Sequence, residues 1–234
     1  NITEITKLMD ECRAMNIPTL GPDVNESRQK FSANKKGEIR FGISAIKGVG
    51  GAAAEAIIKE RESNGPYKTV FDFIQRVSLS SCNRKCIESL VLSGGFDCFT
   101  ELRREDYFAK NAKGEMFIDQ LVRYGQLYQT EMMQQKYSLF GDDNAVEIST
   151  PAIIKGEPWS DIERLNKERD LVGIYLSAHP LDEYKVILDN LCNTSCQEME
   201  DVSRLQGREQ VVIGGIVTAI RQKYTKTGKP CGFV

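Results

Sequence analysis

The chain has 234 residues, of which 41% are hydrophobic and 27% are charged, and both shares are typical of globular proteins. This composition excludes collagen-like, wholly disordered and supercharged chains. The 31 Lys and Arg residues nearly balance the 33 Asp and Glu residues, which leaves a formal net charge of −2. Any nucleic acid must therefore be bound by a local patch, because the whole molecule has no attracting field.

The sequence carries no sign of a membrane or a secretory route. No apolar run approaches the roughly 18 residues of a membrane span, and the N-terminal residues lack the pattern of a secretory signal. The seven cysteines are thinly spread, which favours free thiols in a reducing compartment. We expect a soluble, cytoplasmic protein with no membrane partner. The first residue is Asn1 and the last, Val234, lies in a strand-like run, so we interpret the chain as part of a longer one.

The first predicted elements are a helix and a polar hairpin. Residues 1–16 place apolar side chains at helical spacing: Ile5, Leu8, Met9 and Cys12. Further on, Lys36 and Gly37 form a turn signal between the runs FSA and IRFG. An antiparallel hairpin is therefore expected there.

The middle of the chain is predicted to be helical. Short helices separated by glycine pairs are expected over residues 43–99, and a longer amphipathic stretch over 103–140. The long stretch carries one apolar face: Phe117, Leu121, Tyr124, Tyr128 and Met132. Residues 141–158 are rich in turn formers and are expected to be a linker.

Two further helices precede the C-terminal strands. Ser160 and Glu163 form a capping-box pattern that starts a helix ending near Gly173. Pro180, followed by acidic residues, starts another helix that reaches Leu191.

The C-terminal residues 211–234 are rich in β-branched residues and turn formers, which predicts two strands around Thr227 and Gly228. Gly214 and Gly215 permit a bulge or sharp coil before them. From residue 204 to the end, basic residues outnumber the single Glu209: Arg204, Arg208, Arg221, Lys223, Lys226 and Lys229. With Tyr224 as a stacking residue, such a surface is suited to single-stranded DNA, and a merely solvated face is the alternative.

The most specific local pattern is ISAIKGVGGAAAEAIIKER, at residues 43–61. It predicts a short helix closed by Ile43 and Ile46, a tight glycine turn, and a second helix over 52–61 with Ile57 and Ile58 facing inward. Glycines allow close backbone approach, and the N–H groups and dipole of the second helix favour an anion. The candidate residues for contacts with the DNA backbone are Lys47, Gly48, Val49, Gly50 and Gly51.

An ordinary helical hairpin, whose glycines merely permit close packing, is the alternative interpretation of this pattern. A second block, RKCIESLVLSGGFDCF at residues 84–99, is a candidate partner hairpin. Its glycine turn lacks the Gly-apolar-Gly form, which makes a direct phosphate contact there less secure.

Several blocks in order along the chain carry a family resemblance. They are PDVNES, IRFGISAIKGVG, GPYKTVFDFIQRV, ESLVLSGGFD, LVGIYLSAHPLDEY and VVIGGIVTAIRQKYTKTGKP. The glycine hairpin is similar to the helix-hairpin-helix motif of DNA polymerases, ligases and repair proteins. Together the blocks resemble the bacterial DNA polymerase III alpha subunit family over nearly the whole chain.

This resemblance implies a mainly α fold with a small β part, in which a helix-hairpin-helix clamp-binding domain precedes the first strands of an OB fold. The implied domains are the end of the fingers (1–38), the clamp-binding domain (39–195, with the hairpin pair at about 43–99) and the start of the OB fold (196–234). The family's catalytic carboxylates and Mg²⁺ belong to a palm domain that precedes this region. No catalytic residue, metal ligand or cofactor is therefore expected in the chain itself.

The resemblance also implies a motif that docks into the sliding clamp, the beta subunit. Gln135, Ser138, Leu139 and Phe140 in MMQQKYSLFG match this motif, although Gln135 stands one position further from Ser138 than in the commonest form. Burying the two apolar side chains contributes about 1.5 to 3 kcal/mol each before ordering costs. The alternative is that Leu139 and Phe140 fold back onto the core of their own helix.

Two further patterns favour structural roles. Cys82 with Cys86 and Cys192 with Cys196 are spaced more widely than most structural zinc pairs, so a zinc site is not expected. His179 has no obvious catalytic partner and is interpreted as part of a structural joint.

The sequence thus predicts the DNA-backbone-binding and clamp-binding region of a replicative polymerase that supports processive synthesis. Expected partners are double-stranded DNA, the sliding clamp, other holoenzyme subunits and, through the OB fold, single-stranded DNA. Three rivals stay open: an error-prone alpha paralogue, a non-catalytic helix-hairpin-helix repair factor, and an all-α scaffold without DNA affinity. The Ser-Leu-Phe segment weighs against the paralogue.

Overall fold

The computed structural model describes residues 2–137, 148–194, 196–199, 202–207, 209–217, 220–224, 228 and 230–233. The described residues are mostly helical and contain few strands. They form two compact units, residues 1–178 and residues 179–234. The sequence interpretation placed the domain limits at residues 38 and 195, and those limits stay predictions.

The first unit opens with helix α1 (Ile2–Ala14), which ends before Asn16, a residue with a left-handed φ of 55°. Met9 is buried, as the apolar spacing predicts, but Leu8 is 61% exposed. Its expected inward orientation was wrong. Successive helical residues point about 100° apart, so the face that carries Ile5 and Met9 turns Leu8 toward solvent.

A small three-stranded sheet follows, with strands β1 (Thr19–Leu20), β2 (Ser32–Ala33) and β3 (Ile39–Arg40) in the order β1-β3-β2. Strands β2 and β3 are antiparallel, and Gly37 between them has a φ of 81°, as the turn signal predicts. Strand β1 pairs with β3 in parallel. Two residues are too short a run for sequence periodicity to reveal such a strand.

Among the described residues, five helices and two 3-10 turns follow in the first unit. They are the 3-10 turn Ile43–Ala45, α2 (Gly51–Asn64), α3 (Val70–Arg76), α4 (Arg84–Leu92), the 3-10 turn Arg104–Phe108, α5 (Phe117–Tyr137) and α6 (Asp161–Val172). Three of these helices have an N-cap residue whose side chain accepts a backbone N–H of the first turn. These N-cap residues are Thr69, Asn83 and Ser160. The Ser160 cap confirms the predicted start of α6, and Gly173 ends it with a φ of 88°.

Helix α5 begins later than the amphipathic pattern suggested. Residues 104–108 form a 3-10 turn, and an antiparallel bridge between Lys110 and Met116 separates that turn from the helix. The predicted apolar face is confirmed at Phe117, Leu121 and Tyr124, which are buried, and Tyr128 is half-buried. It is wrong at Met132, which is 39% exposed, because the last turns of α5 extend past the core.

An aromatic cluster forms the centre of the core of the first unit. The ring of Phe73 lies 4.8 Å from that of Phe96, and Phe96 lies 5.3 Å from Phe99. Next to this cluster Arg104, 7% exposed, pairs with Glu168, 1% exposed, at 2.9 Å. The buried ion pair joins the second 3-10 turn to α6.

The second unit contains short helices and one hairpin. Its elements are the 3-10 turn Asp182–Tyr184, α7 (Lys185–Leu191), α8 (Cys196–Met199), the 3-10 turn Val202–Leu205, β4 (Arg221–Tyr224) and β5 (Pro230–Phe233). Strands β4 and β5 are antiparallel and flank Gly228, as the sequence predicts. The four residues of β4 are all exposed. Within the described part of the chain, no helix is both long and apolar enough to cross a membrane.

Candidate nucleic-acid interface

The glycine turn between the first 3-10 turn and α2 is tight and exposed. The N–H of Val49 donates to the carbonyl of Ile46 at 3.0 Å, and Gly48 has a φ of 91° at the third position of this turn. The N–H of Lys47 donates to the carbonyl of Leu171 in α6 at 2.9 Å. The turn is therefore held from both sides while its backbone faces solvent.

A glycine is required at position 48 for two reasons: the positive φ, and the lack of room for a side chain. A Cβ at this position would lie 2.5 Å from the Ser89 Oγ. Ser89 is fully buried in α4, and within the described residues its hydroxyl has no hydrogen-bond partner. The helix α4 thus packs directly under the turn, with a polar atom aimed at it.

The N-terminus of α2 is open to an anion. Its N-cap is Gly50, which has no side chain to accept a hydrogen bond. No hydrogen bond among the described residues uses the N–H groups of Gly50, Gly51 or Ala52, and all three residues are exposed. Unpaired N–H groups at the positive end of a 14-residue helix are suited to a phosphate oxygen.

Lys47 adds a mobile positive charge beside these N–H groups. Its side chain is exposed and takes part in no ion pair among the residues that the structure describes. Val49, by contrast, is only 5% exposed and anchors the turn in the core. The five predicted residues are thus brought together, with Val49 inside and the other four at the surface.

The second glycine turn is filled by the protein itself. Gly94 follows α4 with a φ of 88°, and a Cβ there would collide with the guanidinium of Arg104. That guanidinium also bonds Asp97 through its Nη2 at 2.5 Å. No α-helix follows this turn until Phe117 within the described residues. The predicted partner hairpin therefore lacks an open phosphate-binding turn, because the Arg104 guanidinium fills the space beside Gly94.

Comparison with known proteins agrees with this geometry. A model of the helix-hairpin-helix motif matches residues 16–106. DNA polymerase III subunit alpha from Pasteurella multocida is 34% identical over 234 residues, which are 100% of this chain and 19% of the relative. The same subunit from Chlamydia muridarum is 36% identical over 86% of this chain and 16% of its own length. The Thermus aquaticus subunit is 31% identical over 96% of this chain and 17% of its own length.

The chain is a relative of one region of the bacterial DNA polymerase III alpha subunits. It spans about one fifth of the length of the curated alpha subunits that it matches. The resemblance that the ordered sequence blocks indicated is confirmed, and so is the helix-hairpin-helix motif.

The PDVNES block of the alpha-subunit pattern has a structural role in this fold. The Asn25 side chain accepts the N–H of Tyr67 at 2.7 Å and donates to the Tyr67 carbonyl at 2.9 Å. The Ser27 hydroxyl donates to the Phe41 carbonyl at 2.7 Å, and Arg61 in α2 donates to the Val24 and Ser27 carbonyls. These bonds fix the loop against α2, the segment before α3 and the end of β3.

Residues 28–30, which follow that loop, were missed as candidates by sequence analysis. The N–H groups of Ile43 and Ser44 donate to the carbonyls of Arg28 and Gln29 at 3.0 and 3.1 Å. Gly42 makes this approach possible, since a Cβ there would lie 2.5 Å from the Lys30 carbonyl carbon. In the sequence, Gly42 directly before the hairpin was the signal that could have indicated this close approach.

The clamp motif lies only partly in the described structure. Gln135 is exposed near the end of α5. Ser138, Leu139 and Phe140 lie outside the described residues, so their assignment stays a prediction.

The cysteine pair in the first unit is buried. The Cys82 thiol donates a hydrogen bond to the Cys86 sulfur at 3.3 Å, and this bond together with burial raises the pKa of Cys82. Within the described ranges, no group of three or more His, Cys, Asp or Glu side chains is placed to hold a metal ion.

Proposed function

We propose that this chain is the DNA-backbone-binding and sliding-clamp-binding region of a replicative polymerase alpha subunit. The observation that supports DNA binding best is the open N-terminus of α2, where exposed N–H groups lie beside the free Lys47. Every nucleotide of DNA carries the same phosphate group, so contacts of this kind position a duplex without selecting its sequence.

Duplex binding by the 234-residue chain is expected to be weak, indifferent to sequence and steep in salt. The logarithm of the affinity falls with the logarithm of salt concentration by about 0.9 for each phosphate neutralised. Lys47→Glu is expected to weaken binding to two unrelated duplexes by the same factor, measured by fluorescence anisotropy at several salt concentrations. A variant that weakens binding to one duplex alone would contradict the backbone contact.

Clamp binding is the second part of the proposal, and it rests on the alpha-subunit relatives together with the Ser-Leu-Phe segment after α5. The double variant Leu139→Ala, Phe140→Ala is expected to lose binding to an immobilised bacterial sliding clamp. Its melting temperature should stay near that of the parent chain, because docking side chains contribute little to the core. A large drop in melting temperature would favour the alternative in which the pair packs on its own helix.

The whole protein would be a DNA-directed DNA polymerase in which this region supports processivity. Its catalytic carboxylates and Mg²⁺ would lie in the palm, outside this region. The β4–β5 hairpin, with exposed Arg221 and Tyr224, is suited to be the start of an OB fold that contacts single-stranded DNA. Binding to DNA and to the sliding clamp at the same time would raise the effective affinity for each of them.

A further inference from the structure

Residues 28–30 form an exposed segment, here called the flanking arm, that runs beside the hairpin. Hydrogen bonds hold the backbone of this segment in place. Arg61 donates to the carbonyl of Ser27, the residue before the arm, and the N–H groups of Ile43 and Ser44 donate to carbonyls of the arm itself. The three side chains, Arg28, Gln29 and Lys30, are all exposed. A fixed backbone lowers the ordering cost of binding, because only the exposed side chains have to be immobilised on contact.

The arm reaches the open end of α2 through Gln29. Its amide nitrogen lies 3.6 Å from the point that a Cβ on Gly51 would occupy. Among the hydrogen bonds of the described residues, none uses this side-chain amide. A free amide donor therefore stands beside the free N–H groups of the helix.

Lys30 adjoins the hairpin through its backbone. That backbone packs against Gly42, directly before the 3-10 turn that leads into Lys47. Within the described residues Lys30 has no ion-pair partner, and nor does Lys47. One lysine therefore adjoins the start of the 3-10 turn and the other follows its end.

Arg28 lies where positive and negative charges balance. It lines a shallow depression on α2 in which two basic and two acidic side chains offset each other; the lining residues are Arg28, Gln29, Glu55, Ile58, Lys59 and Glu62. The depression therefore offers a phosphate no net positive charge, whereas the only described atom within 4 Å of a Cβ added at Gly51 is the amide nitrogen of Gln29. Gln29 thus borders both the depression and the open end of α2, and Lys30 does not line the depression.

We propose that Gln29 and Lys30 form a second contact with the backbone of double-stranded DNA, adjoining the helix-hairpin-helix turn. Gln29 donates a hydrogen bond to a phosphate oxygen next to the N-terminus of α2, and Lys30 neutralises a neighbouring phosphate. Below the turn, the buried Ser89 hydroxyl lies next to Gly48 and has no hydrogen-bond partner among the described residues. This inference rests on the proposed DNA-binding function and enlarges its footprint.

Truncating the two side chains is expected to change duplex affinity and its salt dependence in different ways. Lys30→Ala should reduce the slope of log affinity against log salt by about 0.9, because one fewer counterion is released. Gln29→Ala should weaken binding about tenfold at every salt concentration and leave the slope unchanged, since it removes one hydrogen bond to a charged group.

Matched controls separate these effects from general losses. Lys36→Ala removes the same charge from the β2–β3 turn, where Glu38 and Asn34 are the neighbours. Gln126→Ala removes an exposed amide from α5. Both controls should bind a labelled duplex with the affinity and slope of the parent chain, and circular dichroism should show all variants folded.

Each outcome bears on a different claim. If Lys47→Glu weakens binding while Gln29→Ala and Lys30→Ala behave like the controls, the arm contact is overturned and the hairpin function stands. If the folded parent chain binds no duplex even at low salt, the proposed function is contradicted, and the arm with it.

Discussion

Gly48 shows how a single missing side chain couples packing to function. Its positive φ is a conformation that L side chains rarely adopt, and the Ser89 hydroxyl of α4 takes the space that a side chain would need. The strain and the collision are separable, because the collision involves the Ser89 Oγ, whereas the Ser89 Cβ lies 3.5 Å from the added carbon.

Gly48→Ala is therefore expected to lower the stability of the chain by at least about 1 kcal/mol, the scale of an unfavourable left-handed residue. In a Ser89→Ala background the same substitution should cost less, since the collision is gone and only the dihedral strain is left. Urea denaturation of the four proteins in this cycle measures the difference. Equal losses in both backgrounds would contradict the steric contact.

Asp106 connects elements through a carboxylate that is wholly buried. It accepts the N–H of Arg103 at 2.9 Å and the N–H of Gly156 at 2.8 Å, and it pairs with Lys155. Burial alone would raise the pKa of this carboxyl, but these donors outweigh burial and hold the pKa below its ordinary value of 3.8. The Asp106 carboxylate thus joins the second 3-10 turn to the segment before α6.

A lowered pKa in the folded state gives stability that is present above the pKa of the unfolded chain and is lost as the pH falls toward the folded value. Asp106→Asn should cost about 1 to 3 kcal/mol at pH 7, because a carboxylate with three donors is lost. Below about pH 4 the parent chain should lose stability more steeply than the variant. Denaturation at pH 7, 4 and 3 tests this, with the exposed Asp170→Asn as the control; parallel curves for parent and variant would contradict it.

At the scale of elements, the starts of the helices differ in a way that matters for binding. In helices α3, α4 and α6 the side chains of Thr69, Asn83 and Ser160 each accept one N–H group of the first turn. Helix α2 has a glycine N-cap and leaves its N–H groups to solvent. A glycine N-cap costs only a few tenths of a kcal/mol relative to a polar N-cap and leaves an anion-binding end open.

For the molecule as a whole, sequence patterns predicted what depends on neighbours along the chain. The spacing of Phe117, Leu121 and Tyr124 gave the buried face of α5, and Ser160 gave the start of α6. The Gly-apolar-Gly pattern gave the exposed turn. These features follow from helical periodicity, capping and glycine dihedrals, which act over a few residues.

Features that depend on distant residues were not predictable in this way. The second glycine turn is closed by Arg104, whose charge is matched by Glu168, a residue 64 positions further on. The flanking arm lies beside the hairpin because Gly42 allows Lys30 to approach it across a chain reversal. In both cases tertiary packing decides which backbone groups stay open to a ligand.

The most direct test of the account compares duplex binding by the parent chain, Gly50→Asp and Gly50→Asn. Gly50 has the extended dihedrals of an N-cap, and nothing lies within 4 Å of an added Cβ, so both variants should fold and melt at or slightly above the parent temperature. The aspartate would occupy the N–H groups with a negative charge, and we expect it to abolish duplex binding, while the neutral asparagine weakens binding less. Unchanged binding by folded Gly50→Asp would contradict the claim that the N-terminus of α2 holds the DNA backbone.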